Sequence, residues 1–324
     1  MNNGCADAGA RRPRNGRDSR PSARRGRAGR GPRQLSRALI LAASALFPFT
    51  HSAPAHCRFE RTALTARASA AGAATVSYAD GADALFVNPA GLASIGGLEA
   101  YADYAEPASA PFARETRVAL GGNAGFARFG LGWYRRAGDA AGEDCVAAGA
   151  ARTLVAGTQG SYIAVGAAAV AGRTTGAAPG LGAGGGWTPV GADLGIIVRP
   201  LPVVSFGYAA GNVFDRGGDA GDGERWGRTC RWGFSYFWEN AIVLSFARST
   251  HAGTTSRHFG FSARAAVPVE LMFGLSDGRA TGGVRWTGAR LRASVAFAAE
   301  EPSGVTWMVS CEGTIFASRE GEWR

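Results

Sequence analysis

From Gly97 onward the chain repeats one pattern, and that pattern limits what it can fold into. Phe129, Leu131 and Trp133 alternate with Arg128, Gly130 and Gly132; Trp232, Phe234, Tyr236 and Trp238 alternate with Arg231, Gly233 and Ser235. Leu291, Ala293, Val295 and Phe297 do the same against Arg290, Arg292 and Ser294. Side chains of a strand alternate between faces, so each segment is a strand with one apolar face and one small or charged face. About fourteen such segments run from 97–105 to 304–316, each roughly ten residues long, which is the reach of a tilted strand across a bilayer. A soluble β-sandwich also alternates, but its strands are nearer five or six residues.

Turn residues separate the segments, as in Arg199-Pro200-Leu201-Pro202, Ser276-Asp277-Gly278 and Trp286-Thr287-Gly288. Short turns take turns with longer polar stretches at 174–189 and 215–228, so one end of the molecule should carry short turns and the other long loops. Trp133, Tyr134, Trp232, Tyr236, Trp238 and Trp286 suit the membrane interfaces. The fold expected is all-β: a transmembrane up-and-down antiparallel β-barrel of about fourteen strands.

Charge confirms that the body has no nucleic-acid footprint. Of 35 basic residues, all of them Arg, eleven lie in residues 1–55 with only two acids, leaving 24 basic and 23 acidic residues beyond. Residues 1–33 read as a basic leader. Residues 34–55 read as a signal peptide, with the apolar run Ala38–Phe47 and the small-residue site Ala53-Pro54-Ala55. Cys57, Cys145, Cys230 and Cys311 are scattered and suggest neither zinc site nor disulfide framework.

Between signal and strands lies a stretch of different character, residues 56–96. Asn88-Pro89-Ala90-Gly91 is a shaped piece of backbone. It forms either a local turn or a helix start with Asn88 as N-cap and Pro89 in the first turn. Gly91 allows backbone that a β-carbon forbids.

Other candidate sites are weak. The spacing G-x-G-x-x-G at 180–185 lacks the strand before and helix after that a dinucleotide needs. Asp215, Asp219, Asp222 and Glu224 lack the ligand rhythm of a calcium loop. His251 and His258, with Ser249, Ser256, Glu270 and Asp277, carry no nucleophile motif. No catalytic chemistry, cofactor or metal is expected. Arg128, Arg231, Arg264, Arg290 and Arg292 oppose apolar stripes and should line the lumen.

The stretch as a whole resembles the segment before the barrel in FadL-type outer-membrane proteins and the related PorV/PorQ-like barrels. The resemblance rests on the small-residue run Ala70–Ala74, the acidic pair Asp80 and Asp83, the lead-in Leu85-Phe86, and Asn88-Pro89-Ala90-Gly91-Leu92. Asp193–Pro200 and Gly274–Arg279 resemble strands and turns of the PorV-like branch. The resemblance implies an outer-membrane protein with residues 56–96 folded into the lumen of a 97–324 barrel as a plug. It puts Asn88-Pro89-Ala90 at the gate, with Asp80, Asp83, Gly91 and Leu92 beside it. It further implies passive, plug-gated passage of small hydrophobic, fatty-acid-like molecules, which leave through the wall when the plug shifts. The chain is shorter than those transporters, which points to the smaller PorV-like or spirochaete-type branch. Members of that branch that serve secretion give the alternative, a barrel that docks or anchors exported proteins. Outer-membrane lipid is a partner on either reading.

Overall fold

The computed structural model describes residues 65–106, 114–137, 141–157, 160–176, 188–213, 228–239, 241–251, 254–265, 268–300 and 304–317. Fourteen strands follow one another: β1 (Gly97–Glu106), β2 (Arg114–Asn123), β3 (Arg128–Ala137), β4 (Ala141–Ala156), β5 (Tyr162–Gly176), β6 (Thr188–Leu201), β7 (Val204–Gly211), β8 (Thr229–Trp238), β9 (Ile242–His251), β10 (Thr254–Arg264), β11 (Val269–Ser276), β12 (Arg279–Thr287), β13 (Leu291–Glu300) and β14 (Gly304–Ala317). Each pairs antiparallel with its neighbours in sequence, and β14 pairs with β1, from Gly97 opposite Ala317 to Glu106 opposite Trp307. The barrel is closed, which removes every sheet edge and satisfies the backbone inside a bilayer.

The alternation in the sequence sorts the two faces. Leu131, Phe273, Val295 and Trp307 are all more than half exposed on the outer face. Their neighbours Gly130, Met272, Ala296 and Thr306 are buried inside. A continuous band of exposed Leu, Val, Phe and Trp is what a hydrocarbon solvent requires, and it would be a liability in water. The tight turn at Asp277-Gly278 has both residues at positive φ, 53° and 82°, so β11 and β12 are joined by a hairpin of the primed type.

Tyr134 departs from the expected aromatic girdle. It lies on the inner face of β3, 7% exposed, with the Arg117 guanidinium 5.1 Å from its ring centre. The alternation itself requires this: Trp133 points out, so its neighbour must point in.

Residues 65–96 lie inside the barrel. They contain α1 (Ala66–Ala70), α2 (Ala84–Val87) and a 3-10 helix (Pro89–Ser94). They pack on strands around the whole circumference: α1 on β11 to β14 and β1, α2 on β3 and β4, and the 3-10 helix on β3 to β6. Helices this short have no stability of their own and are held by the wall. The leader and signal segments expected at 1–33 and 34–55 lie outside the described residues, as do the sequences at 180–185, 215, 219, 222 and 224.

Candidate functional site

The plug is built from local signals that the sequence carries openly. Asn88 caps the 3-10 helix, its Oδ1 accepting from the Ala90 amide at 3.1 Å, and Pro89 occupies the first turn where its missing donor costs nothing. Asn88 is fully buried. Its Nδ2 donates to Val76 O at 2.8 Å and reaches Ile196 O and Tyr208 O on the wall at 3.3 and 3.4 Å. One amide thus ties two parts of the plug together and ties both to β6 and β7. Gly91 is needed for space rather than for unusual dihedrals: a β-carbon there would stand 2.4 Å from Ala79 O.

The wall makes room for the plug with inward-facing glycines. A β-carbon at Gly166 would stand 2.4 Å from Pro89 O, one at Gly195 2.1 Å from Asn88 Oδ1, and one at Gly207 2.3 Å from Val76 O. The pattern continues round the barrel, where Gly260 meets Ala71 O and Gly274 meets the Gly72 backbone. Gly72 has φ +65° and stands so close to the wall that a side chain would strike Phe259 O. Larger plug residues fill what is left. Leu85, Leu92 and Ile95 form one apolar cluster with Ala147, Ala151, Ala168 and Val170, and Ala90 packs on Ala164 and Ile197. The packing around Ala90 and Leu92 is therefore apolar. Beside α2, a cavity of about 30 Å³ is lined by Leu85, Phe86, Pro89, Asp193 and Arg231.

On the outer face of the same wall, an apolar cleft of about 800 Å³ runs across β8 to β11, between Phe234, Tyr236, Phe246, Phe259, Phe261 and Phe273. Its floor includes Gly260 and Gly274, the residues whose inner side touches Ala71 and Gly72. Here one layer of backbone separates plug from cleft.

Charge is gathered in two buried groups. Arg117, 1% exposed, donates to Asp103 at 2.9 and 3.0 Å and to Glu115 at 2.7 Å, and Tyr101 donates to Asp103 at 2.6 Å. Below it, Glu312 accepts from Arg285 at 2.8 Å and from Arg292 at 3.2 Å. Gly81 of the plug, at φ +77°, lies against the carboxylates of Glu312 and Glu99. Asp83 accepts from Thr65 Oγ1 at 3.2 Å and is 5% exposed. Burial first, and then the negative charge of Glu312, pushes its carboxyl up to about 6. Asp80, by contrast, is half exposed and pairs with Arg67, whose guanidinium also stacks on Tyr78.

The five arginines read from the sequence do not converge. Arg128, Arg231 and Arg292 stand on inward-facing positions of β3, β8 and β13, and only Arg292 joins the Glu312 group. Arg264 and Arg290 are exposed, at the end of β10 and in the turn before β13. The residues that do converge, Glu99, Asp103, Glu115, Arg117, Arg285 and Glu312, had a signal in the spacing. Glu99, Tyr101 and Asp103 stand two apart, as do Glu115 and Arg117, each opposite small or apolar neighbours. His258 is hydrogen-bonded to Ser249 at 2.8 Å and to Ser276 at 3.1 Å on the inner wall. Both ring nitrogens of His258 are thus taken by hydroxyls.

Solved structures share the closed barrel fold. The monoaromatic hydrocarbon channel TodX, as its deltaS2 mutant, is 12% identical with a TM-score of 0.58, over 80% of this chain and 100% of that one. The Ralstonia pickettii toluene transporter TbuX is 12% identical at 0.55, over 79% and 99%. A Pseudomonas aeruginosa FadL homologue is 10% identical at 0.51, over 81% and 99%. The chain has the FadL-type fold. Neither a protein-family model nor a curated protein matches the sequence, so the likeness is one of structure.

Proposed function

We propose that the protein is an exported outer-membrane barrel of FadL type through which small hydrophobic molecules pass without energy input, residues 56–96 serving as the plug and Asn88-Pro89-Ala90 as its gate. The observation that carries this reading is the seat of the plug. A segment of short helices and turns packs into the lumen by fitting apolar side chains against a glycine-lined wall. The hydrogen bonds that tie it to that wall include Asn88 to β6 and β7, Ser205 to Ser77 O at 2.5 Å, the Ser77 and Ser235 hydroxyls at 2.6 Å, and Thr281 to Ala70 O at 3.2 Å. Such a seat can be loosened and retightened in place without breaking the barrel. The solved channels of like fold bear the names of monoaromatic hydrocarbon and toluene transporters, which makes small hydrophobic molecules the substrate class to test first. Residues 1–33 and 34–55, as leader and signal peptide, would deliver the chain for export.

Hydrophobic solutes cross a plain lipid bilayer unaided, so the test belongs in cells whose lipopolysaccharide-bearing outer membrane is the barrier. Uptake of labelled toluene and of a labelled fatty acid is compared in cells with the protein, with Pro89→Ala, and without it. The protein should raise uptake. Pro89→Ala, which frees the backbone of the gate, should change the rate further. Uptake equal to that of cells without the protein, for both solutes and both forms, refutes the transport reading and favours a barrel that docks exported proteins.

A further inference from the structure

The carboxylate group beneath the plug does not balance. Asp83 is faced by Thr65 and Arg67 from α1 and its cap, by Glu99 and Tyr101 from β1, by Arg285 from β12 and by Glu312 from β14. Arg292 of β13 reaches the same place through Glu312. Arg67 is taken by Asp80. Arg285 and Arg292 both donate to Glu312, and Arg285 has Glu270 as its register partner on β11. Three carboxylates, Asp83, Glu99 and Glu312, therefore share two guanidinium groups. Asp83 Oδ1 and Glu99 Oε2 are buried with no hydrogen-bond partner among the described residues. A buried carboxylate oxygen in that condition is costly when charged and is relieved by a proton. A metal ion fits less well: two arginines already bind Glu312, and no group of three ligating side chains among the described residues is placed to hold one.

We propose that Asp83 and Glu99 form a proton-binding site between plug and wall, and that the bound proton keeps the plug in its seat. With the proton present, the cluster is neutral and Gly81 rests against Glu312 and Glu99. Without it, the excess negative charge lies between a plug residue and two wall residues, and it is relieved when the plug moves away.

The direction follows from linkage. Asp83 is raised from 3.8 to about 6 in the seated state, so the seated state binds the proton more tightly than the released one. Seating is fully favoured at low pH and weakens as pH rises through about 6. Between pH 5 and pH 8 the fraction of released plug should grow about tenfold.

The intact protein in lipid nanodiscs gives the test, with two readouts that need no transport substrate. Infrared titration should show a buried protonated carboxyl that disappears as pH rises through about 6 and is missing in Asp83→Asn. Hydrogen exchange across residues 79–95, corrected for intrinsic rates, should show the tenfold loosening in the parent and none in Asp83→Asn. Glu99→Gln removes a like charge, so it should lower the midpoint of both titrations; it serves also if Asp83→Asn does not fold. A parent without a titrating carboxyl, an Asp83→Asn variant that loosens as the parent does, or an unmoved midpoint in Glu99→Gln overturns the proposal. Because neither readout depends on uptake, failure here leaves the transport reading standing, and the reverse also holds.

Discussion

Gly195→Ala puts the fit between plug and wall to a sharp test. The new methyl carbon would stand 2.1 Å from Asn88 Oδ1, 2.9 Å from the Ala90 amide and 3.0 Å from Pro89 Cδ. None of these can swing aside. Asn88 is fully buried and held at Val76 O, and Pro89 and Ala90 are backbone or ring atoms. The 88–90 turn must withdraw from β6, and Asn88 loses its two bonds to the wall, at Ile196 O and Tyr208 O. At about 1 kcal/mol each, plus the cost of stranding a buried amide, seating should weaken by about 2–3 kcal/mol. That is a release of the plug on the order of 30- to 150-fold greater. Hydrogen exchange of peptides covering 79–95 measures it directly. Gly96→Ala, where nothing lies within 4 Å of the added carbon, is the control and should leave exchange unchanged. Asn88→Ala removes the same two bonds and the closest of the three contacts, so adding Gly195→Ala to it should loosen the plug by less than Gly195→Ala loosens the parent. Strict additivity of the two substitutions would refute the reasoning, because it would mean that the methyl and the amide do not meet.

Other substitutions separate the roles of the two faces. Arg117→Met leaves Asp103 buried without its cation and Glu115 with only Arg136 at 3.6 Å, and should cost about 3–5 kcal/mol, read as a lower temperature for the heat-induced mobility shift of the folded barrel on gels. Leu131→Arg, on the outer face of β3, should cost about 2–4 kcal/mol if it lies near a bilayer midplane and should slow folding into liposomes. Folding yields equal to the parent's would argue against a membrane-facing exterior.

Much of the fold was legible because a strand's two faces are written into alternate residues. Phe129, Leu131 and Trp133 could only point one way together, and the structure puts them on the outer face of the barrel. The turn chemistry of Asp277-Gly278 and the capping chemistry of Asn88-Pro89 were equally local. The inward glycines were less legible. Small residues suit a curved wall in general, but Gly166 and Gly195 are small because Pro89 and Asn88 occupy the space in front of them. The charged groups were not assembled by sequence reading at all. Glu99 and Glu312 meet at Gly81 only once the barrel has closed, and no local period connects positions so far apart. The five arginines chosen by parity faced inward or lay at strand ends, yet parity alone cannot say which inward residues share a height on the barrel.

The closing seam therefore has a bearing on assembly. The ladder of β1 with β14 joins the two ends of the barrel sequence and is its most distant pairing. Contacts that span the whole chain pay the largest loop-closure entropy and tend to form late. Glu99 lies on one side of that seam and Glu312 on the other, with Gly81 between them. A plug threaded in after closure would have to pass a wall it touches on every side. The barrel is better understood as zipping shut around a plug already in place, the last strands to meet being those that fasten it.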